Sequence, residues 1–159
     1  MFPFVGGGNQ NVGTATNDDA GAGIVGQFVT ATVATASAVS LTTTVSANVT
    51  SISLTAGDWD VSWVVDFKPA GTTSVTALKS SISLTSATLN TQAGGSGIGT
   101  EALTLFDTAA NVLGADFSLA GGPVRCSFSS TQTVYLVANA TFTVSTMSAY
   151  GTIRARRVR

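Results

Sequence analysis

The amino-acid sequence predicts an all-β fold: a jelly-roll β-sandwich that follows an extended N-terminal arm. Three observations lead to this prediction. Serine and threonine fill 43 of the 159 positions, whereas leucine, glutamate and lysine, which favour helices, are scarce. Residues 58–67 alternate between apolar and polar side chains, as a half-buried strand does. Glycine- and proline-containing turns separate eight to ten short segments of this kind, at a spacing of roughly 8–12 residues that is typical of a sandwich.

Residues 1–27 are predicted to form the arm, and residues 28–159 the domain. The arm holds seven of the 17 glycines and shows no strand or helix period, so it cannot bury enough apolar surface to fold alone. It is either a mobile terminus or a segment that a partner binds. We expect a partner to bind it through apolar anchors followed by a hinge: Phe2, Phe4 and Val5, then Gly6, Gly7 and Gly8.

In the first half of the domain, one or two weak strands are expected within 28–39, and further strands at 41–45, 49–55 and 58–67. The last of these has the clearest pattern. One face carries Trp59, Val61, Trp63, Val65 and Phe67, which we expect in the core, and the other carries Asp58, Asp60, Ser62, Val64 and Asp66. Turns are expected at 56–58 and 69–71 because glycine or proline lies in each.

In the second half, strands are expected at 75–84, 87–89, 102–106, 117–119 and 124–128, with a turn at 120–123. A long alternating segment follows. Its core face is predicted to hold Val134, Leu136, Ala138, Ala140, Phe142 and Val144. Residues 149–158 form the predicted closing strand.

The composition excludes most catalytic chemistry. The chain has no histidine and one cysteine, so neither a Ser-His-Asp triad nor a typical zinc site can form. Cys126 alternates with Val124 and Phe128, which predicts a buried, inert thiol. We therefore predict that the protein is not an enzyme and has no cofactor and no resident metal.

The charge is low and unevenly placed. The formal net charge is −1, which gives no general attraction to nucleic acid or to membranes, and neither is a predicted partner. No apolar run approaches the roughly 20 residues that a spanning helix needs. A surface with so few charges has little protection against self-association, which favours burial against copies of itself or a partner.

Asp58 and Asp60 lie two residues apart on one strand face, about 6.6 Å along the strand. Such a pair could serve glycoside hydrolysis or help to bind calcium. The alternative is a solvated face, or contacts between subunits to Lys68 or to an arginine. We favour contacts of Asp58 and Asp60 with an arginine.

Four of the last six residues are arginine. They could contact nucleic acid, form a solvated terminus, or pair with carboxylates of a neighbouring subunit. We favour pairing, because the planar guanidinium suits interface ion pairs. The predicted interface residues are Arg154, Arg156 and Arg157, with Asp58 and Asp60.

Three segments carry a family resemblance: Gly57-Asp-Trp-Asp-Val-Ser-Trp-Val-Val-Asp-Phe67, Val134-Tyr-Leu-Val-Ala-Asn-Ala-Thr-Phe142 and Ala149-Tyr-Gly-Thr-Ile-Arg-Ala-Arg-Arg157. They resemble small virion proteins of tailed phages and prophages, and more distantly the C1q/TNF-like jelly roll. The resemblance covers about a third of the chain. It implies a homotrimer, and a place on a capsid surface or at a fibre tip.

We therefore expect a capsid decoration (cement) protein on the virion, where it stabilises the head by binding the major capsid protein. The alternative is a receptor-binding fibre or spike tip that is attached to the tail or to a head vertex. In that case loops at 90–100 and 107–116 would bind host glycans.

Overall fold

The computed structural model describes residues 18–90 and 103–159. In these ranges the chain forms nine β-strands and a short 3₁₀ turn at Thr35–Ser37. The strands are β1 (Phe28–Val33), β2 (Val39–Leu41), β3 (Ala47–Leu54), β4 (Gly57–Pro69), β5 (Ser74–Ser83), β6 (Leu103–Val112), β7 (Phe117–Phe128), β8 (Gln132–Thr143) and β9 (Met147–Arg157).

The strands form two antiparallel sheets. Sheet A has the order β1-β9-β4-β7, with β2 also paired to β9, and sheet B has the order β3-β8-β5-β6. Consecutive strands mostly alternate between the sheets, so neighbours within a sheet are far apart in sequence. This arrangement confirms the predicted all-β sandwich of jelly-roll type.

The core lies between the sheets and is lined by β4 as predicted. Trp59, Val61, Trp63, Val65 and Phe67 are each at most 1% exposed. Sheet B packs against them with a set of fully buried apolar side chains: Leu78, Ile82, Val134 and Leu136. One polar contact crosses this core, because the Trp63 indole Nε1 donates a hydrogen bond to Ser80 Oγ at 3.1 Å. A buried indole N–H needs such an acceptor.

The predicted turn at 120–123 is wrong. These residues lie within β7, which continues from Phe117 to Phe128 with a bulge opposite β4. Gly121 lies against the Trp63 ring, where an added Cβ would lie 2.1 Å from a ring carbon, and Gly122 has φ +90. The glycines therefore make room for an indole and for an irregular strand, not for a chain reversal.

Four other predictions differ from the structure. The strand expected at 41–45 is mostly turn, because β2 ends at Leu41 and Thr44 has φ +65. Val144 was expected in the core but lies just beyond β8, with φ +79, and is 81% exposed. Residues 87–89 form no strand; Ala87 N donates a hydrogen bond to Asn48 Oδ1 at 2.7 Å. Most of the loop expected at 107–116 is strand, since β6 extends to Val112.

The outer face of sheet B is partly covered by its own connections. Val137 is fully buried and Asn139 is 7% exposed, although both lie opposite the core face of β8. Asn139 Nδ2 donates hydrogen bonds to Thr44 O (2.9 Å) and Ser46 Oγ (3.2 Å), in the segment between β2 and β3. Among the described residues, the outer face of sheet A is the more exposed of the two.

Replacing Gly121 by alanine should destabilise the fold by about 1–3 kcal/mol, because the new methyl group overlaps the Trp63 ring and the core is already filled. Urea unfolding, followed by tryptophan fluorescence, measures the change. Gly71→Ala is the matched control, since an added Cβ there meets nothing within 4 Å, and its effect should stay within about 0.5 kcal/mol. Equal stabilities for the two variants would contradict the packing described for Trp63.

Candidate functional site

Most of the charge gathers on sheet A. Six of the seven basic residues lie on its strands or directly after β9: Lys68, Arg125, Arg154, Arg156, Arg157 and Arg159. Three carboxylates lie on β4 and one directly before β7: Asp58, Asp60, Asp66 and Asp116. The strand order brings together β4, β7 and β9, which are distant in sequence, so this surface exists only in the folded chain.

Asp58 is the most tightly held carboxylate of this group. It is only 4% exposed, and its Oδ2 accepts ion pairs from Arg125 (2.9 Å) and Arg159 (2.6 Å). Its main chain is also paired, since Asp58 N donates to Arg159 O at 3.1 Å and Val158 N donates to Asp58 O at 3.0 Å. We call Asp58, Arg125 and Arg159 the Asp58 cluster; it fastens the end of the chain to the start of β4.

The pKa of Asp58 is lowered from its ordinary value of 3.8. The main causes are hydrogen bonds from the Ser127 hydroxyl, which lies opposite Asp58 on β7, and from the Arg125 guanidinium. Both favour the ionised carboxylate. Asp58 is therefore a poor proton donor, which opposes its use as the acid of a glycosidase pair.

Arg157 lies at the same end of the sandwich but on the inner side, and it is 6% exposed. Its guanidinium donates hydrogen bonds to Ala56 O (2.9 Å), to Thr55 Oγ1 and to Gln27 Oε1 (3.3 Å). It also lies over the Trp59 ring, with Cζ 4.4 Å from the ring centroid. A guanidinium suits this place because it combines several donors with a flat face that stacks on an indole.

Arg157 also fixes the point where the arm leaves the domain. Gly26 N donates to Arg157 O at 2.9 Å, and Arg157 N donates to Gln27 O at 2.9 Å. Gln27 Oε1 additionally accepts from Gly23 N at 2.8 Å. Residues 23–27, which we call the arm root, are thus joined to the end of β9 beside the Asp58 cluster.

The opposite end of the sheet A face is acidic. Asp66 on β4 lies in register with Tyr150 on β9 and with Ser118 on β7, whose hydroxyl donates to Asp66 Oδ1. Tyr150 Oη donates to Asp116 Oδ2 at 2.8 Å, and this hydrogen bond is the main cause of a raised pKa for Tyr150. The two ends of one face therefore carry opposite charge.

The predicted site residues fall into three groups. The arm residues from Phe2 to Gly8 lie outside the described residues. Asp58 and Arg157 have partners within the chain, as just described. Arg154 and Arg156 are exposed and Asp60 is half-buried, so they are the members of the predicted interface whose side chains face outward.

Three residues that take part in these contacts were not predicted from the sequence: Arg125, Gln27 and Tyr150. Arg125 carries a weak signal, because it is the only charged residue between 117 and 153. Gln27 and Tyr150 carry none, since their roles depend on which strands become neighbours.

Cys126 is fully buried, as predicted, and burial raises the pKa of its thiol to about 12, with a smaller effect of the Asp60 charge. Such a thiol is protonated at neutral pH and unreactive. Within 18–90 and 103–159, no group of three His, Cys, Asp or Glu side chains is placed to hold a metal ion. In the same ranges, no helix is long and apolar enough to cross a membrane.

No protein-family model matches this chain, and neither a curated protein nor a solved structure matches it. Its function is therefore proposed from its own fold and contacts, together with the resemblance described for its sequence.

Replacing Asp58 by asparagine should lower stability at neutral pH and remove part of the acid sensitivity. Because the folded-state pKa of Asp58 is lowered, its ionised form stabilises the fold above the ordinary value of 3.8, and this contribution is lost as pH falls through the folded pKa. Urea unfolding at about pH 7 and about pH 3 should show a smaller pH effect in Asp58→Asn than in the wild type. Asp60→Asn, two residues along β4, is the control; if it flattens the profile equally, the Asp58 cluster is not the cause.

Replacing Arg157 by lysine should destabilise the protein by about 2–3 kcal/mol, since an ammonium cannot reach three acceptors and stack on Trp59 together. Amide hydrogen exchange at Gly26 should accelerate as the arm root loosens. Arg156→Lys, one residue away and exposed, should leave both measurements almost unchanged. A stable Arg157→Lys variant with normal protection at Gly26 would contradict this role.

Proposed function

We propose that this protein is a structural virion protein, a capsid decoration protein that binds the major capsid protein through its N-terminal arm. It acts as a homotrimer on the capsid surface, as the family resemblance implies, and performs no catalysis. Decoration stabilises the shell because a ligand that binds only the assembled state shifts the equilibrium toward that state.

The observation that carries this proposal is the fixed arm root. Gly26 and Gln27 are paired with Arg157, and the chain before them leaves from a rigid end of the sandwich. A short segment that starts from a fixed point loses less entropy on binding than one that starts from a mobile point. In this proposal the sandwich is the stable domain, and the glycine-rich segment before it binds the major capsid protein.

The fibre or spike tip is the second candidate, and one observation favours it. Val112 (51% exposed) and Val144 (81% exposed) lie near each other, beside the start of β5 and at the end of the sandwich opposite the arm root. A domain held by its arm would present this end to a receptor. Of the two predicted glycan loops, the described part of 107–116 lies at this end, whereas 91–100 falls outside the described residues.

Quantitative mass spectrometry of purified particles separates the two functions. A decoration protein should be present in tens to hundreds of copies per particle, and a fibre or spike tip in a few. A protein absent from particles would overturn both.

The arm is tested in the full chain by Phe2→Ser with Phe4→Ser, which removes the expected apolar anchors. Binding to particles that lack the protein should fall at least about a hundredfold, since burying each side chain contributes roughly 1.5–3 kcal/mol. Val144→Ser removes an exposed apolar side chain at the opposite end and should bind normally. Undiminished binding by the Phe2 and Phe4 variant would contradict the role of the arm.

A further inference from the structure

The outer face of sheet A is flat in the middle and charged at both ends. Small or medium-sized side chains, polar and apolar, occupy its centre: Thr30, Thr32, Ser62, Val64, Ala120 and Thr152. Thr32 and Thr152 share a hydrogen bond of 2.9 Å between their hydroxyls, which keeps them low on the sheet. A second flat surface can therefore approach the centre of this face closely.

The basic end carries four guanidiniums and two carboxylates. Arg156 lies in register with Asp60, which is itself in register with Arg125. Arg154 lies two residues before Arg156 on β9, and Arg159 lies two residues after the end of that strand. Asp58 is already held by Arg125 and Arg159. Among the described residues, Arg154 and Arg156 form no ion pair, so this end has a positive excess.

The acidic end has a negative excess, from Asp66 and Asp116 against Lys68. Six residues of β9 separate Arg156 from Tyr150, which is about 20 Å at 3.3 Å per residue. The Debye length at about 0.15 M salt is about 8 Å, so the two ends do not neutralise each other within one chain. A partner whose charges run in the opposite direction would complement both ends at once.

We propose that this molecule is a second copy of the chain, whose outer face of sheet A docks with the basic end of one copy on the acidic end of the other. Arg154 and Arg156 then meet Asp66 and Asp116 of the neighbour. A parallel arrangement would instead place the positive ends together, which costs several kcal/mol for close like charges.

The size of the face is adequate for such a contact. Four strands about 4.8 Å apart, over about ten residues of β9, give a planar area of about 600 Å². A standard protein interface buries about 800 Å² on each partner, and surface relief adds to the planar figure. The centre supplies close packing, and the charged ends set the direction.

This contact deepens the proposed function, on which it rests for the expectation of an oligomer. It differs from the predicted interface in one respect: the neighbour's carboxylates are Asp66 and Asp116, since Asp58 is already held by arginines of its own chain. Two whole faces in antiparallel contact form an isologous pair with a twofold axis, so this contact is separate from the threefold packing that the family resemblance implies.

Charge reversal in the full chain tests the contact. Arg154→Glu with Arg156→Glu makes both ends negative, and Asp66→Lys with Asp116→Lys makes both ends positive. Each variant alone should associate about a hundredfold more weakly than the wild type, measured by light scattering during gel filtration. A mixture of the two should associate again, because each reversed end then meets its complement.

Three controls make the result specific. Lys79→Glu lies on sheet B and should leave the mass unchanged. Urea unfolding shows whether each variant is folded, and Asp66→Asn with Asp116→Asn replaces the lysine pair if that pair fails to fold, with a smaller loss expected. Raising the salt concentration should weaken association both in the mixture and in the wild type.

A monomeric wild type at micromolar concentration overturns the contact, as does a reversal that leaves the mass unchanged or a mixture that stays monomeric. None of these results bears on copy number in particles or on the arm variants. A monomeric wild type would also remove the trimer, but copy number and the arm variants test the decoration role separately, so failure of this contact is distinguishable from failure of that role.

Discussion

Strand β4 packs two indole rings between the sheets, and the rest of the molecule is arranged around that packing. Trp63 requires the glycine at position 121 on β7 and an acceptor, Ser80, on sheet B. Trp59 supplies the flat surface on which Arg157 stacks. Because both rings are fully desolvated, neighbouring residues have to match their shape and their N–H groups, which restricts what β5, β7 and β9 can contain.

The same strand connects the core to the surface. Its odd-numbered residues fill the sandwich, and its even-numbered residues place three carboxylates along the outer face of sheet A. The first of these, Asp58, is held between Arg125 and Arg159, so the end of the chain is fastened where β4 begins. Arg157 fastens the arm root at the same end. The rigid core therefore determines where the arm leaves.

The outer faces of the two sheets differ in how exposed they are and in how much charge they carry. The outer face of sheet B is partly covered by its own connections, through contacts such as that of Asn139 with Thr44. The outer face of sheet A is open over the described residues and carries opposite charge at its ends. A chain with only 15 charged residues that places ten of them on or beside one sheet concentrates its capacity for directed contacts there.

Local patterns in the sequence were enough to predict the fold class and most of the core. Period-2 alternation over 58–67 and 134–142 reflects a local property of strands, that successive side chains point to opposite faces, so Trp63 and Leu136 could be placed without knowing their neighbours. The burial of Cys126 followed in the same way. Where a pattern ends is less certain, which is why Val144 was placed in the core although it lies beyond the last residue of β8.

The structural role of the glycines in β7 and the partners of the charged side chains depend on the tertiary structure. Gly121 and Gly122 suit a turn as well as a bulge, and the choice depended on an indole that lies some 60 residues away in sequence. Whether Asp58 meets an arginine of its own chain depended on β7 and the end of β9 both lying beside β4. Alternation indicates the face on which a side chain lies, but strand order decides which side chains meet, and strand order is a property of the whole folded chain.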